Sequence, residues 1–195
     1  MSEERIRSFI AVAVPPASAE GIRAAQQQLK AGDETIKWVN PDGFHITLKF
    51  LGGVERERLT VLWRTVSQAL VGARPFTMHF RGAGAFPSLT RARVVWIAVN
   101  EGAAELSDLA ARVEAACAQH AFERERRPFQ AHLTLGRARQ PEPNPRLAAA
   151  IEELAEADLG QVPVDRVLLM QSELTRQGAI YHKLDESKLT GEGGE

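Results

Sequence analysis

Two segments of one pattern stand out in the chain, His45-Ile46-Thr47-Leu48 and His132-Leu133-Thr134-Leu135. Each lies in a run that reads as a β-strand, where residues i and i+2 point to the same face. His45 and Thr47 then share one face, with Ile46, Leu48 and Phe50 on the other. His132 and Thr134 likewise stand opposite Leu133 and Leu135. Each strand buries an apolar side and offers an imidazole beside a hydroxyl. Two imidazoles with ordinary pKa values near 6.5 can divide the roles of general base and general acid around neutral pH. Two threonine hydroxyls can donate to the non-bridging oxygens of a phosphate, where charge grows in the transition state. That chemistry is phosphoester cleavage without a metal. One His-x-Thr in a strand means little, because threonine favours strands and histidine is often a satisfied core residue. The second copy gives the pattern its weight.

The copies sit in matching surroundings. His45 and His132 are 87 residues apart, and so are Phe9 and Trp96, each in a strand that precedes a helix and then the motif. The pattern implies an internal duplication, with one motif per half and the two halves facing each other as lobes. Strands are expected over 6–14, 45–51, 75–80, 93–99, 131–137, 162–172 and 179–184, with 38–39 short and extended and 81–90 a Gly/Pro/Ser-rich connection. Helices are expected over 17–30, 55–70, 103–119 and 145–157, the last opened by an Asn144 cap and Pro145. Pro41-Asp42-Gly43 signals a turn before the first motif. Trp63 and Cys117 fall on the apolar stripes of their helices and read as core.

Composition sets the frame. The chain has 195 residues, 44% apolar and 25% charged, with a formal net charge of -1. That is ordinary for a soluble globular protein and excludes a disordered, collagen-like or membrane-spanning chain. The apolar run 9–14 is far shorter than the roughly 20 residues a spanning helix needs. One cysteine cannot form an internal disulfide, which fits a reducing, cytoplasmic setting. Other chemistries lack their signatures: there is no His-Glu-x-x-His, Cys-x-x-Cys, Gly-x-Ser-x-Gly or Walker-type loop, so no metal or cofactor is expected. His79, His120 and His182 do not repeat and read as structural.

Basic residues gather near the second motif. Between Phe122 and Arg139, Arg124, Arg126, Arg127, Arg137 and Arg139 face only Glu123 and Glu125, a local charge of +3. Arg137 is the expected phosphate ligand. Strict alternation puts it opposite His132, and a bulge at Gly136 would reverse that. Phe9, Trp38, Phe50 and Phe129 are candidates to stack a base.

The segments 45–52 and Arg127-Pro128-Phe129-Gln130-Ala131-His132-Leu133-Thr134-Leu135-Gly136-Arg137 resemble the motifs of the 2H phosphoesterases. Within them the chain is most similar to the RNA 2′,3′-cyclic phosphodiesterases, historically called 2′-5′ RNA ligases. Supporting pieces are 7–12, 37–39, 84–87 and 167–174. The resemblance implies an α+β fold of two pseudo-symmetric lobes, with antiparallel sheets lining a central cleft and helices outside, the LigT-like arrangement. It implies one bilobal domain over 1–188; the tail 189–195, rich in glycine and glutamate, is expected to be disordered. It implies hydrolysis of RNA 2′,3′-cyclic phosphate ends to 2′-phosphomonoesters, with 2′-5′ ligation as a reverse activity. Carried over, His45 is the proton donor, His132 the proton acceptor, and Thr47 and Thr134 hold the phosphate. Gln130 stands where a basic residue is common in the family. The partners implied are RNA ends or small cyclic nucleotides, with no membrane and no metal, and a monomer is the default. Two alternatives stand beside this reading: a small substrate such as ADP-ribose 1″,2″-cyclic phosphate, and a non-catalytic RNA-end binding module.

Overall fold

Among the described residues, nine strands and four α-helices form from these runs. The computed structural model describes residues 5–31, 35–138, 142–175 and 178–191. The elements are β1 (Arg5–Ala13), α1 (Glu20–Lys30), β2 (Ile36–Trp38), β3 (His45–Glu55), α2 (Arg56–Ala69), β4 (Phe76–Phe86), β5 (Val94–Val99), α3 (Ala103–Gln119), β6 (His132–Ala138), α4 (Pro145–Glu153), β7 (Asp158–Val164), β8 (Arg166–Leu174) and β9 (Ala179–Lys188). Two antiparallel sheets result. The first has the order β3-β1-β8-β9, and the second β2-β6-β5-β4-β7. The fold is α+β, as expected. Its helices bury apolar stripes: Ile22, Ala25 and Leu29 on α1, Leu59, Leu62, Trp63 and Val66 on α2, and Leu106, Leu109, Val113 and Cys117 on α3.

The halves interleave rather than fold apart. α1 follows β1 of the first sheet but packs on β7 of the second, and α3 follows β5 of the second sheet but packs on β3 of the first. β2, from the first half, pairs with β6, while β8 and β9, from the second half, complete the first sheet.

Several expected boundaries are corrected. The single strand expected over 162–172 is two strands in different sheets, because β7 pairs with β4 and β8 with β1. β4 continues through most of the expected loop 81–90; a register shift between Phe80 and Ala83 lets it pair with β7 over one part and β5 over the rest. The helix opened by Asn144, whose Oδ1 accepts from the Leu147 amide at 3.0 Å, ends at Glu153 rather than 157. The tail expected to be disordered from 189 is ordered at its start. Leu189 is buried and its amide donates to Asp165 O, and the Gly191 amide donates to Ala73 O. Residues 192–195, Gly32-Asp33 and Arg139 lie outside the described residues. No helix among the described residues is long and apolar enough to cross a membrane.

Candidate active site

β3, at the edge of the first sheet, approaches β6 of the second, so the strands that carry the two motifs lie against each other. The entry to β3 is tightly built. Asn40 Oδ1 accepts from the Asp42 amide at 3.2 Å, Pro41 opens a single 3₁₀ turn, and the Val14 amide donates to Phe44 O at 2.9 Å. This turn places Gly43 O at 2.7 Å from His45 Nδ1. The second motif repeats the contact, with Gln130 O at 2.8 Å from His132 Nδ1. A carbonyl oxygen only accepts, so Nδ1 carries the proton in both rings and Nε2 is left for chemistry. Gly43 also fits where a side chain would not, since a Cβ there would lie 2.8 Å from Tyr181 Cδ2.

Aromatic walls fix both rings. Phe9 lies 4.8 Å from His45, centroid to centroid, and Tyr181 meets it edge-on at 5.0 Å. Phe86 meets His132 edge-on at 5.5 Å and is backed by Trp96 at 5.0 Å. Sequence reasoning passed over Tyr181 and Phe86, although Tyr181 is the chain's single tyrosine.

Matched bulges decide which way the residues after each threonine face. β1 pairs Ile10 with Lys49 and then Ala11 with Thr47, so Leu48 is the extra residue. β5 pairs Val95 with Gly136 and then Trp96 with Thr134, so Leu135 is the extra residue. The alternation therefore flips in both strands. Leu135 and Gly136 are both buried and Arg137 is exposed, on the His132 side. The bulge sits at Leu135 and not at Gly136, which is glycine for another reason: a Cβ there would lie 2.5 Å from Ile36 Cγ2. The flip also corrects Phe50, which faces the cleft at 55% exposure instead of the core, while Lys49 is buried. Register corrects the repeat as well. Ala11, not Phe9, is the counterpart of Trp96, and Phe9 matches Val94.

Buried Gln26 on α1 braces the second bulge. Its Nε2 donates to Leu135 O at 3.1 Å and to Val39 O at 2.8 Å, and the Val39 amide donates to Leu135 O at 2.8 Å. A lone glutamine on an apolar helix stripe was the available signal.

Electrostatics tie the site together. Burial lowers the pKa of both His45 and His132 below 6.5; the carbonyl bonds raise them in part, and the Arg137 charge lowers both again. Burial raises the Tyr181 pKa, and Arg137 opposes it. One guanidinium thus acts on groups from both sheets. Thr47 and Thr134 are half-buried beside their histidines, and neither hydroxyl has a hydrogen-bond partner among the described residues. A cavity of about 280 Å³ opens at His45, lined among others by Phe44, Met170, Ile180 and Tyr181.

The remaining candidates lie elsewhere. His79 bonds Asp158 at 2.9 Å, His120 bonds Thr65 at 2.7 Å and His182 bonds Glu173 at 3.1 Å. Cys117 is fully buried and its thiol is pushed up to about 11, chiefly by that burial. Trp38 and Phe129 pack partly buried against the core. Among the described residues no group of three or more His, Cys, Asp or Glu is placed to hold a metal ion.

Two imidazoles with matched carbonyl contacts, on strands of two sheets and both acted on by one arginine, make up a site of the phosphoesterase kind. Residues 14–176 match the model of the 2'-5' RNA ligase superfamily, and the chain belongs to that superfamily. An RNA 2',3'-cyclic phosphodiesterase of Methanothermobacter thermautotrophicus is 35% identical over 95% of this chain and 100% of its own. One from Archaeoglobus fulgidus is 37% identical over 92% and 98%. Among solved structures, a protein of Thermus thermophilus superposes with a TM-score of 0.78 at 27% identity, covering 95% of this chain and 99% of its own. E. coli LigT complexed with 3'-AMP superposes with a TM-score of 0.73 at 25% identity, covering 96% and 99%.

Proposed function

We propose that this chain is a cytoplasmic enzyme that hydrolyses RNA 2′,3′-cyclic phosphate ends to 2′-phosphomonoesters. The observation that carries the reading is the matched pair of Nδ1-anchored histidines, both within the field of Arg137. His132 Nε2 takes a proton from water as the water oxygen bonds to phosphorus. The P–O3′ bond breaks, and His45 Nε2 gives its proton to O3′. The histidines end with their protonation states exchanged and reset through solvent. Thr47, Thr134 and Arg137 hold the non-bridging oxygens, whose charge grows along the reaction. The terminal nucleoside occupies the cavity beside Tyr181.

The lowered pKa values suit the two roles differently. Burial lowers the pKa of His132, which favours the neutral form that a base must have. His45 needs a proton, and the arriving phosphate anion supplies the opposite charge that raises its pKa. The same steps with the 5′-hydroxyl of a second strand attacking in place of water give a 2′-5′ linkage, which is ligation.

The test is hydrolysis of a short RNA ending in a 2′,3′-cyclic phosphate, in excess EDTA, with the products resolved. Formation of the 2′-phosphate at an undiminished rate is expected. A 3′-phosphate product, or turnover of ADP-ribose 1″,2″-cyclic phosphate alone, would contradict the assignment; binding without any turnover would leave only a binding module.

A further inference from the structure

Beside Phe50 lies a groove of about 430 Å³ that the acid–base chemistry does not use. Its walls are the end of β3, at Lys49, Phe50 and Leu51, and the segment 122–127. Phe50 is 55% exposed, an uncommon setting for a phenyl ring. It joins the histidine site by two ring contacts, 6.2 Å to Phe9 and 4.8 Å from Phe9 to His45. Opposite the ring, Arg124, Arg126 and Arg127 alternate with Glu123 and Glu125. Arg126 pairs with Glu123 at 3.4 Å, and Glu125 lies 4.0 Å from the Lys49 ammonium. Arg124 and Arg127 are exposed and have no partner among the described residues.

This segment is moored, although its side chains are exposed. Buried Lys49 Nζ donates to Glu123 O at 2.6 Å and pairs with Glu114 at 2.9 Å. Glu114 in turn accepts from the Glu125 amide at 3.1 Å. On the other side, Arg58 stacks over the Phe122 ring at 4.6 Å. A moored backbone therefore carries two unpaired guanidiniums across a groove from an exposed aromatic face.

We infer that the groove is a subsite for the single-stranded ribonucleotide chain on the 5′ side of the reacting nucleotide, a deepening that rests on the function proposed above. A base stacks on Phe50, and backbone phosphates meet Arg124 and Arg127. A flat π-face beside unpaired cations is what single-stranded nucleic acid offers partners to, without sequence readout. Phe9, which is buried, cannot serve as that platform.

The test compares cytidine 2′,3′-cyclic phosphate with a hexaribonucleotide ending in the same group. It uses the intact chain, an Arg124→Gln/Arg127→Gln double variant and Phe50→Ala. For each variant, kcat/KM on the hexamer is expected to fall about ten-fold or more, while that on the mononucleotide stays within about two-fold. The salt slope of hexamer affinity in the arginine variant should flatten by about 1.4, the share of two phosphate contacts on a single strand. Equal losses on both substrates, or no loss on the hexamer, would overturn the subsite. A parallel anisotropy titration with a hexamer ending in a 2′-phosphate needs no turnover. If the unmodified chain hydrolyses neither substrate but the variants still lose hexamer binding, the subsite stands and the proposed reaction fails. If hexamer binding is unchanged by the substitutions, the subsite fails whatever the turnover.

Discussion

Each imidazole is committed before substrate arrives. Its Nδ1–H is held by a carbonyl two residues upstream and its plane is set by aromatic edges, so Nε2 is presented with little freedom to lose. Replacing His45 or His132 by Ala should lower kcat by roughly 10²–10⁴-fold with little change in product affinity by titration. Equal losses of rate and affinity would instead indicate a collapsed site. The pH dependence has a definite sign. Productive free enzyme needs one histidine protonated and the other neutral, and both pKa values lie below 6.5. The kcat/KM maximum is therefore expected on the acid side of 6.5. Arg137→Gln removes a charge that lowers both groups, so the residual activity should peak at higher pH; a peak that stays put or moves down would contradict the placement of Arg137. At this scale the sequence was informative about His45, Thr47, His132 and Thr134, because period-two alternation and repetition both register in residue types. Tyr181 and Phe86 were not legible, because they come from strands whose approach to the motifs depends on sheet order.

The elements explain why an arginine two residues after a bulge faces the same side as His132 and acts on both histidines. A β-bulge leaves no fixed residue signature, and simple alternation therefore misplaced Phe50 and left Arg137 undecided. What fixes the second bulge is the Leu135 carbonyl, which takes hydrogen bonds from both Gln26 and Val39. Gln26→Leu should cost about 1–3 kcal/mol by denaturant unfolding, since it strips donors from buried carbonyls. It should also raise KM and shift the pH profile in the direction of Arg137→Gln. A loss of stability with an unchanged profile would separate Gln26 from the site. Lys49 makes the corresponding case on β3. Lys49→Met leaves Glu114 without its cation and should destabilise by about 3 kcal/mol. Adding Glu114→Leu should recover part of that, as read by a double-mutant cycle; strict additivity would mean that the pair is not coupled. Boundaries such as the one between β7 and β8 escaped the sequence because one apolar run, 162–172, served two sheets.

At the scale of the molecule, the two halves share one core. α1 packs on the second sheet and α3 on the first, and strands from each half complete the other's sheet. We read the matched bulges after Thr47 and Thr134, with the matched carbonyl contacts to both histidines, as the trace of a duplication within one bilobal domain. Interleaving predicts one cooperative unfolding transition. Far-ultraviolet dichroism and the fluorescence of Trp38, Trp63 and Trp96 should give coincident midpoints, and separated midpoints would show lobes that fold independently. The duplication was legible because its spacing survives in the motifs. The exchange of helices was not, since no local pattern says which sheet an amphipathic helix will cover.

In the proposed reaction His45 delivers a proton to the departing O3′ while His132 activates water. A cyclic substrate with sulfur in place of the 3′ oxygen separates these roles, because a thiolate leaves without an acid. On that substrate His45→Ala should approach the rate of the unmodified chain, while His132→Ala stays impaired by roughly 10²–10⁴-fold. Rescue of His132→Ala instead would reverse the roles, and rescue of neither would contradict leaving-group protonation by either histidine.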